Sequence, residues 1–246
     1  MFRIALAFLT VAILSATPST ADEIRVAVAS NFRYAMEDLA PRFERQTGHD
    51  VTLIYGSTGK HFAQITNGAP FDVFLAADEL RPRMLEEDGL AVSGSRFVYA
   101  IGKLVLWSSE QGRVDGNEDL LTGDFRFLAI ANPILAPYGR AARQTLVKLG
   151  IWQAVYPRIV RGENVAQAYQ YVVSGNADIG LIALAQIRIP ATGYSGSHWE
   201  VPGDLHDPIR QQAAVVSDTT ATRAFVSYLQ SEEARELIRS YGYDTP

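Results

Sequence analysis

Four times along this chain a short apolar run ends in a small polar or glycine-bearing turn and gives way to a helical pattern. The turns are Ser30-Asn31, Ser57-Thr58-Gly59, Tyr138-Gly139 and Asn164-Val165. Repeated strand-to-helix handover points to parallel sheets, because parallel neighbours need a long connection and a helix supplies it. Each turn also leaves the first N–H groups of a helix unpaired at the positive end of its dipole, where an anion is favoured. One such turn is ordinary in an α/β protein. Two in each half of the chain predict an oxyanion gripped from both sides of a cleft.

The rest of the pattern fits that frame. Ile24, Val26 and Val28 alternate with Arg25 and Ala27, as a strand requires. From Asn31 the period becomes helical, with Met36, Leu39, Ala40 and Phe43 on one face, Pro41 inside, and a stop at Gly48. Strands follow over 51–55 and 71–76, with helices over 59–67 and 79–88, the latter capped by Asp78. Residues 98–107 make an apolar run broken only by Gly102 and Lys103, long for one strand, and read as passing from one lobe into a second. A second α/β unit is predicted as strands over 127–131, 158–161 and 178–184, with helices over 139–149 and 165–174. Residues 212–216 read as the return crossing, and helices over 219–230 and 232–241 as packing on the first lobe. The expected organisation is an export segment over 1–21, lobe I over 22–100 and 214–246, and lobe II over 101–213. Two lobes joined by two crossings make a hinged clamp.

Arg3, the apolar stretch 4–14 and the small residues Ser19-Thr20-Ala21 have the layout of an export signal, with cleavage expected after Ala21. That stretch is well short of the ~20 residues a membrane span needs. There is no cysteine, which excludes disulfides, thiolate metal sites and a lipid anchor on cysteine. A soluble periplasmic product is expected. The chain is 48% hydrophobic and 20% charged, enough for real cores. Its net charge of −5 becomes more negative once Arg3 is removed, which argues against nucleic acid and leaves any anion to be held by local dipoles.

A tetrahedral dianion leaves water only if donors meet its oxygens. Ser30, Ser57 and Thr58 offer hydroxyls, Asn31 a side-chain amide, and Asn31, Thr58, Tyr138 and Val165 backbone N–H groups. Gly59 and Gly139 are read as letting the backbone approach the ion. The plainer reading of Ser, Thr and Asn at these places is helix capping. A donor-only site suits an ion without a proton, whereas hydrogenphosphate needs an acceptor; Glu163 is the one acid that could supply it, and it reads rather as facing solvent, favoured by the nearby helix N-terminus.

At these residues the chain resembles the periplasmic molybdate-binding proteins of ABC importers, type II periplasmic binding proteins, from about residue 24 to 243. The telling stretches are VAVASNFRYAM (26–36), YGSTGKHFAQITNGAPFDVFLAADE (55–79), GSRFVYAIGKLVLWS (94–108) and ANPILAPYGRAA (131–142). GENVAQA (162–168) and ADIGLIALAQI (177–187) extend the likeness. The resemblance implies a two-lobed α/β fold, capture of molybdate or tungstate and delivery to a membrane permease. It also implies a monomer that needs no cofactor and catalyses nothing. It places the oxyanion at positions matching Ser30, Thr58, Tyr138 and Val165, with Asn31 a ligand in the branch carrying Asn there and Ser57 beside the second contact. Many members carry a Tyr where this chain has Ala183, so that hydroxyl is missing and Asn31 is expected to stand in for it. Sulfate or phosphate binding on the same fold is the alternative, and an exported ester hydrolase a more distant one.

Other signals lead nowhere. GSTGKH (56–61) lacks the spacer of a P-loop and has His61 where Ser or Thr is required. Lys60 reads as a solvated helix residue. His49, His61, His198 and His206 have no metal-ligand spacing, so no cation site is expected. Asp72 and Asp78 read as a loop bond and a cap rather than an acid–base pair. Trp107, Trp152 and Trp199 read as packing.

Overall fold

The computed structural model describes residues 22–117, 121–190 and 193–246. The expected export segment, 1–21, lies outside the described residues.

From the start the chain builds β1 (Glu23–Ala29), α1 (Arg33–Thr47), β2 (Asp50–Gly56), α2 (Thr58–Thr66), β3 (Val73–Ala76), α3 (Leu80–Glu87) and β4 (Phe97–Gly102). Then come β5 (Leu104–Ser108), β6 (Leu128–Ala131), α4 (Pro137–Lys148), α5 (Trp152–Val155), β7 (Ile159–Gly162), α6 (Val165–Val173) and β8 (Ile179–Ala183). A small ribbon, β9 (Arg188–Ile189) with β10 (Gly193–Tyr194), precedes β11 (Ser197–Glu200), β12 (Ile209–Val215), α7 (Thr220–Leu229) and α8 (Glu232–Ser240).

The strands form two five-stranded sheets, ordered β2-β1-β3-β12-β4 and β11-β5-β8-β6-β7. In the first, β1 runs parallel to β2 and β3, with α1 and α2 as crossovers. In the second, β6 runs parallel to β7 and β8, with α4 and α6 as crossovers. The molecule is therefore α/β and two-lobed. The long run 98–107 is two strands, one in each sheet, separated only by Lys103. The return differs from expectation: residues 212–215 of the expected crossing are the end of β12. That strand starts at Ile209 and pairs antiparallel with β3 and β4 of the first sheet. The polar side chains of Arg210, Gln211 and Gln212 hide this strand from a pattern search.

Side-chain alternation explains the layers of the first lobe. Ile24, Val26 and Val28 of β1, with Val73 and Leu75 of β3, pack against Met36, Leu39 and Phe43 of α1 and Phe225 and Ile238 of α7 and α8. Ala27, Phe74 and Ala76 face the other way, toward Ile65 and Leu85 of α2 and α3. The second sheet has its own core of Leu104, Leu106, Leu128, Ile130, Leu146, Val172, Ile179 and Leu181, among others. Trp107 and Trp199 are buried there and Trp152 packs against it.

Chain entry into α1 also differs. Residues Ser30–Phe32 form a 3₁₀ turn and the α-helix starts only at Arg33. This tighter turn folds Ser30, Asn31 and Phe32 inward, where all three are buried.

Candidate functional site

The N-termini of α2, α4 and α6 and the 3₁₀ turn after β1 converge between the two sheets, all at carboxyl ends of parallel strands, where open α/β sheets carry their crevices. Ser30, Asn31, Ser57, Thr58, Tyr138 and Val165, the residues named from the sequence, all line one cavity there. Its empty space, open mouth included, is about 190 Å³, which leaves room for no more than a small ion. No charged side chain is among its lining residues.

Following each helix start donor by donor shows what is left over. In α2, the Lys60 N–H is accepted by Ser57 Oγ at 3.3 Å and the Gly59 N–H by the Leu135 carbonyl at 2.8 Å, leaving Thr58 N–H. In α6, the Gln167 N–H goes to Asn164 Oδ1 at 3.0 Å and the Ala166 N–H to Ser30 Oγ at 3.4 Å, leaving Val165 N–H. In α4, Pro137 has no N–H and Arg140 N–H bonds the Ala136 carbonyl, leaving the N–H groups of Tyr138, which lines the cavity, and of Gly139, which does not. Asn31 N–H, in the turn after β1, likewise has no partner among the described residues. The hydroxyls behave the same way. Ser30, Ser57 and Thr58 each accept from a backbone N–H, the last from Ala77 at 3.0 Å. Each therefore keeps its own hydrogen to donate, and none of the three donates within the described residues. Four N–H groups and three O–H groups, with no cation beside them, make a site for an anion stripped of water.

Two sequence readings change. Asn31 does not offer its amide nitrogen to the cavity: Nδ2 donates to Gln211 Oε1 at 2.8 Å and to Tyr243 Oη at 3.1 Å. Nor do Gly59 and Gly139 serve to admit the ion. A Cβ on Gly59 would sit 2.9 Å from the Leu135 carbonyl oxygen, and one on Gly139 2.3 Å from that of Ala131, so both glycines allow backbone to meet backbone. Glu163 is exposed, outside the cavity, with its own N–H bonded to Gln167 Oε1 at 2.7 Å. Asp78 caps α3 by accepting the Arg81 N–H at 3.1 Å, and Asp72 accepts the Arg25 N–H at 2.7 Å, as expected of loop acids. Among the described residues no cluster of His, Asp or Glu could hold a metal cation.

The lobes meet around this cavity. Besides the bonds Ala166 to Ser30 and Gly59 to Leu135, Arg81 Nη2 donates to the Ile134 carbonyl at 2.8 Å. Arg140 of α4 pairs with Asp78 at 3.7 Å. Behind the cavity lies a buried polar group that no local motif announces: Tyr99, Gln211 and Tyr243, with the Tyr138 hydroxyl beside them. The signal that could have found it is a pair of amides, Gln211-Gln212, inside an otherwise buried strand.

Comparison with known proteins agrees with this layout. The family described as bacterial extracellular solute-binding protein matches residues 24–244. The molybdate-binding protein ModA of Azotobacter vinelandii is 49% identical over 94% of this chain and 93% of its own length. That of Rhodobacter capsulatus is 44% identical over 94% of this chain and 91% of its own. The solved periplasmic molybdate-binding protein of Azotobacter vinelandii superposes with a TM-score of 0.87 at 44% identity, covering 91% of this chain and 99% of that one.

Proposed function

The chain belongs to the family of bacterial extracellular solute-binding proteins, and from that membership we propose that it is a periplasmic carrier for molybdate or tungstate. It closes two lobes on the ion and hands it, as a monomer, to the membrane permease of an ABC importer. It is a binding protein and not an enzyme, like the relatives it matches. The observation that carries the reading is the surplus of donors: four N–H and three O–H groups around a cavity with no charged side chain on its wall. Each charge-assisted bond contributes roughly 1.5–3 kcal/mol, so a handful supports tight binding without Lys or Arg in contact.

Ser30, Asn31, Ser57, Thr58, Tyr138 and Val165 are proposed as the oxyanion contacts. The hinge is proposed at Lys103 and just ahead of Ile209, where the chain changes sheet. No carboxylate lines the cavity to accept the proton of hydrogenphosphate, which favours the unprotonated ions. Calorimetric titration of ligand-stripped protein with molybdate, tungstate, sulfate and phosphate tests the assignment. We expect tight one-to-one binding of the first two and weak or absent binding of the others. Tight sulfate or phosphate binding would keep the site and overturn the named cargo. No heat from any of the four would overturn both.

A further inference from the structure

We propose that Gln211 is a positioning residue whose side-chain amide turns over together with that of Asn31 when an unprotonated oxyanion enters. This relay ties Tyr138 in one lobe to a donor in the other, and it rests on the oxyanion reading above. Gln211 is fully buried on β12, at the point where the strand's register with β4 shifts. Its Oε1 accepts from Asn31 Nδ2 at 2.8 Å and from Tyr99 Oη at 3.1 Å. Its Nε2 makes no well-formed hydrogen bond, and neither does the hydroxyl of Tyr138, although both atoms are buried and near one another. They lie together over Gly102, where a Cβ would fall 2.1 Å from Tyr138 Oη and 2.9 Å from Gln211 Nε2. Burial keeps the Tyr138 phenol well above its ordinary pKa, so its hydrogen stays in place and needs an acceptor.

An amide is nearly symmetric in shape and opposite in chemistry at its two ends. Turning Gln211 by 180° puts an acceptor where Nε2 now stands, beside the Tyr138 hydrogen, and a donor toward Asn31 and Tyr99. Tyr99 can take that donor while giving its own hydrogen to the Ala76 carbonyl, 3.1 Å away. Asn31 must then turn as well, presenting Oδ1 to Gln211. Tyr243 Oη, which now accepts from Asn31 Nδ2 at 3.1 Å and donates to the Asn31 carbonyl at 2.8 Å, then gives its hydrogen to Asn31 Oδ1 instead. Gln211 Nε2 moves beside Asn31 and Tyr99, the Tyr138 hydroxyl faces an acceptor, and the free end of Asn31, a residue of the cavity wall, changes from acceptor to donor. In the orientation observed, that free end is Oδ1, the wrong pole for molybdate. In the turned one it is Nδ2, which stays unpaired unless an anion is present. An oxyanion bound at Asn31 therefore favours the state in which Tyr138 is satisfied against Gly102 and Gln211, and this couples the ligand to the closed lobes.

The test uses the full mature protein with Gln211→Met, Tyr138→Phe and the double variant, titrated with molybdate and with inorganic phosphate. Each single variant should raise the molybdate Kd at least tenfold, and the double no more than the worse single, since both break one relay. Gln211→Met should also narrow the preference for molybdate over phosphate, because Asn31 then keeps an acceptor toward the cavity. A packing defect alone would not produce that change. In the wild type, saturating molybdate should shift the Asn31 side-chain amide signals in a ¹⁵N-correlated NMR spectrum, identified by their loss in Asn31→Asp. Variants within twofold of wild type, additive losses, or Asn31 signals that molybdate leaves in place would overturn the relay while the oxyanion site stands. A wild type that binds no oxyanion would overturn the site itself.

Discussion

Thr58 shows how one side chain can serve fold and site together. Its Oγ1 accepts the Ala77 N–H at 3.0 Å, which pins the hydroxyl and turns its hydrogen into a spare donor. Thr58→Ala removes a charge-assisted bond worth roughly 1.5–3 kcal/mol, so molybdate affinity should fall about 10- to 150-fold in calorimetry. Thr58→Ser keeps the hydroxyl and should recover most of it; if Ser is as poor as Ala, the methyl group and not the donor matters. Residues of this kind were legible in the sequence because capping chemistry is local: Ser57, Thr58, Asn164 and Val165 announce themselves within four positions of a helix start. Asn31 was legible as a position and not as a role. Its amide is claimed by Gln211, 180 residues away, and by Tyr243, 212 away, and no local pattern carries such a pairing.

Among the elements, α2 brings its N-terminus to the site and is held to β1 by a histidine. His61 is buried, with Nε2 donating to the Val28 carbonyl at 3.2 Å and its ring edge-on to Phe71 and Phe74. Burial pushes its pKa below the ordinary 6.5. The native ring resists a proton that the unfolded chain accepts. Its contribution is therefore whole above about 6.5 and is lost as pH falls through that value toward the native pKa. His198 is pushed the same way by burial. The Tm of ligand-free protein should drop between about pH 7.5 and about pH 5.5, and His61→Gln should flatten part of that slope. An unchanged slope would mean that His61 takes its proton in the folded state without cost. Helices such as α2 and α6 were legible from period and caps, whereas β11 was not. Ser197–Glu200 offers one buried apolar residue, Trp199, and earns strand geometry only by pairing with β5. The start of β12 at Ile209 was hidden for the same reason: tertiary pairing, not side-chain alternation, makes it a strand.

For the whole molecule, the issue is how much of the contact between the lobes belongs to the closed state alone. Gly59 gives a direct way to ask. Its φ is not in the left-handed region, so Ala fits the local backbone, and in a helix Ala is favoured over Gly by up to about 0.5–1 kcal/mol. The obstacle lies across the cleft: the new Cβ would stand 2.9 Å from the Leu135 carbonyl oxygen and 3.1 Å from its Cα. The same carbonyl now accepts the Gly59 N–H at 2.8 Å, so the two backbones cannot simply part without losing that bond. If the ligand-free lobes swing apart about Lys103 and the segment ahead of Ile209, the clash exists only after closure. Gly59→Ala should then leave the Tm of ligand-free protein unchanged or slightly raised, while molybdate affinity falls roughly tenfold and ligand-induced stabilisation shrinks with it. Thermal unfolding with and without molybdate reads both quantities in one experiment. A ligand-free Tm that falls as far as the liganded one would show that the lobes already touch at Leu135 before the ion arrives, and closure would then contribute nothing to its capture.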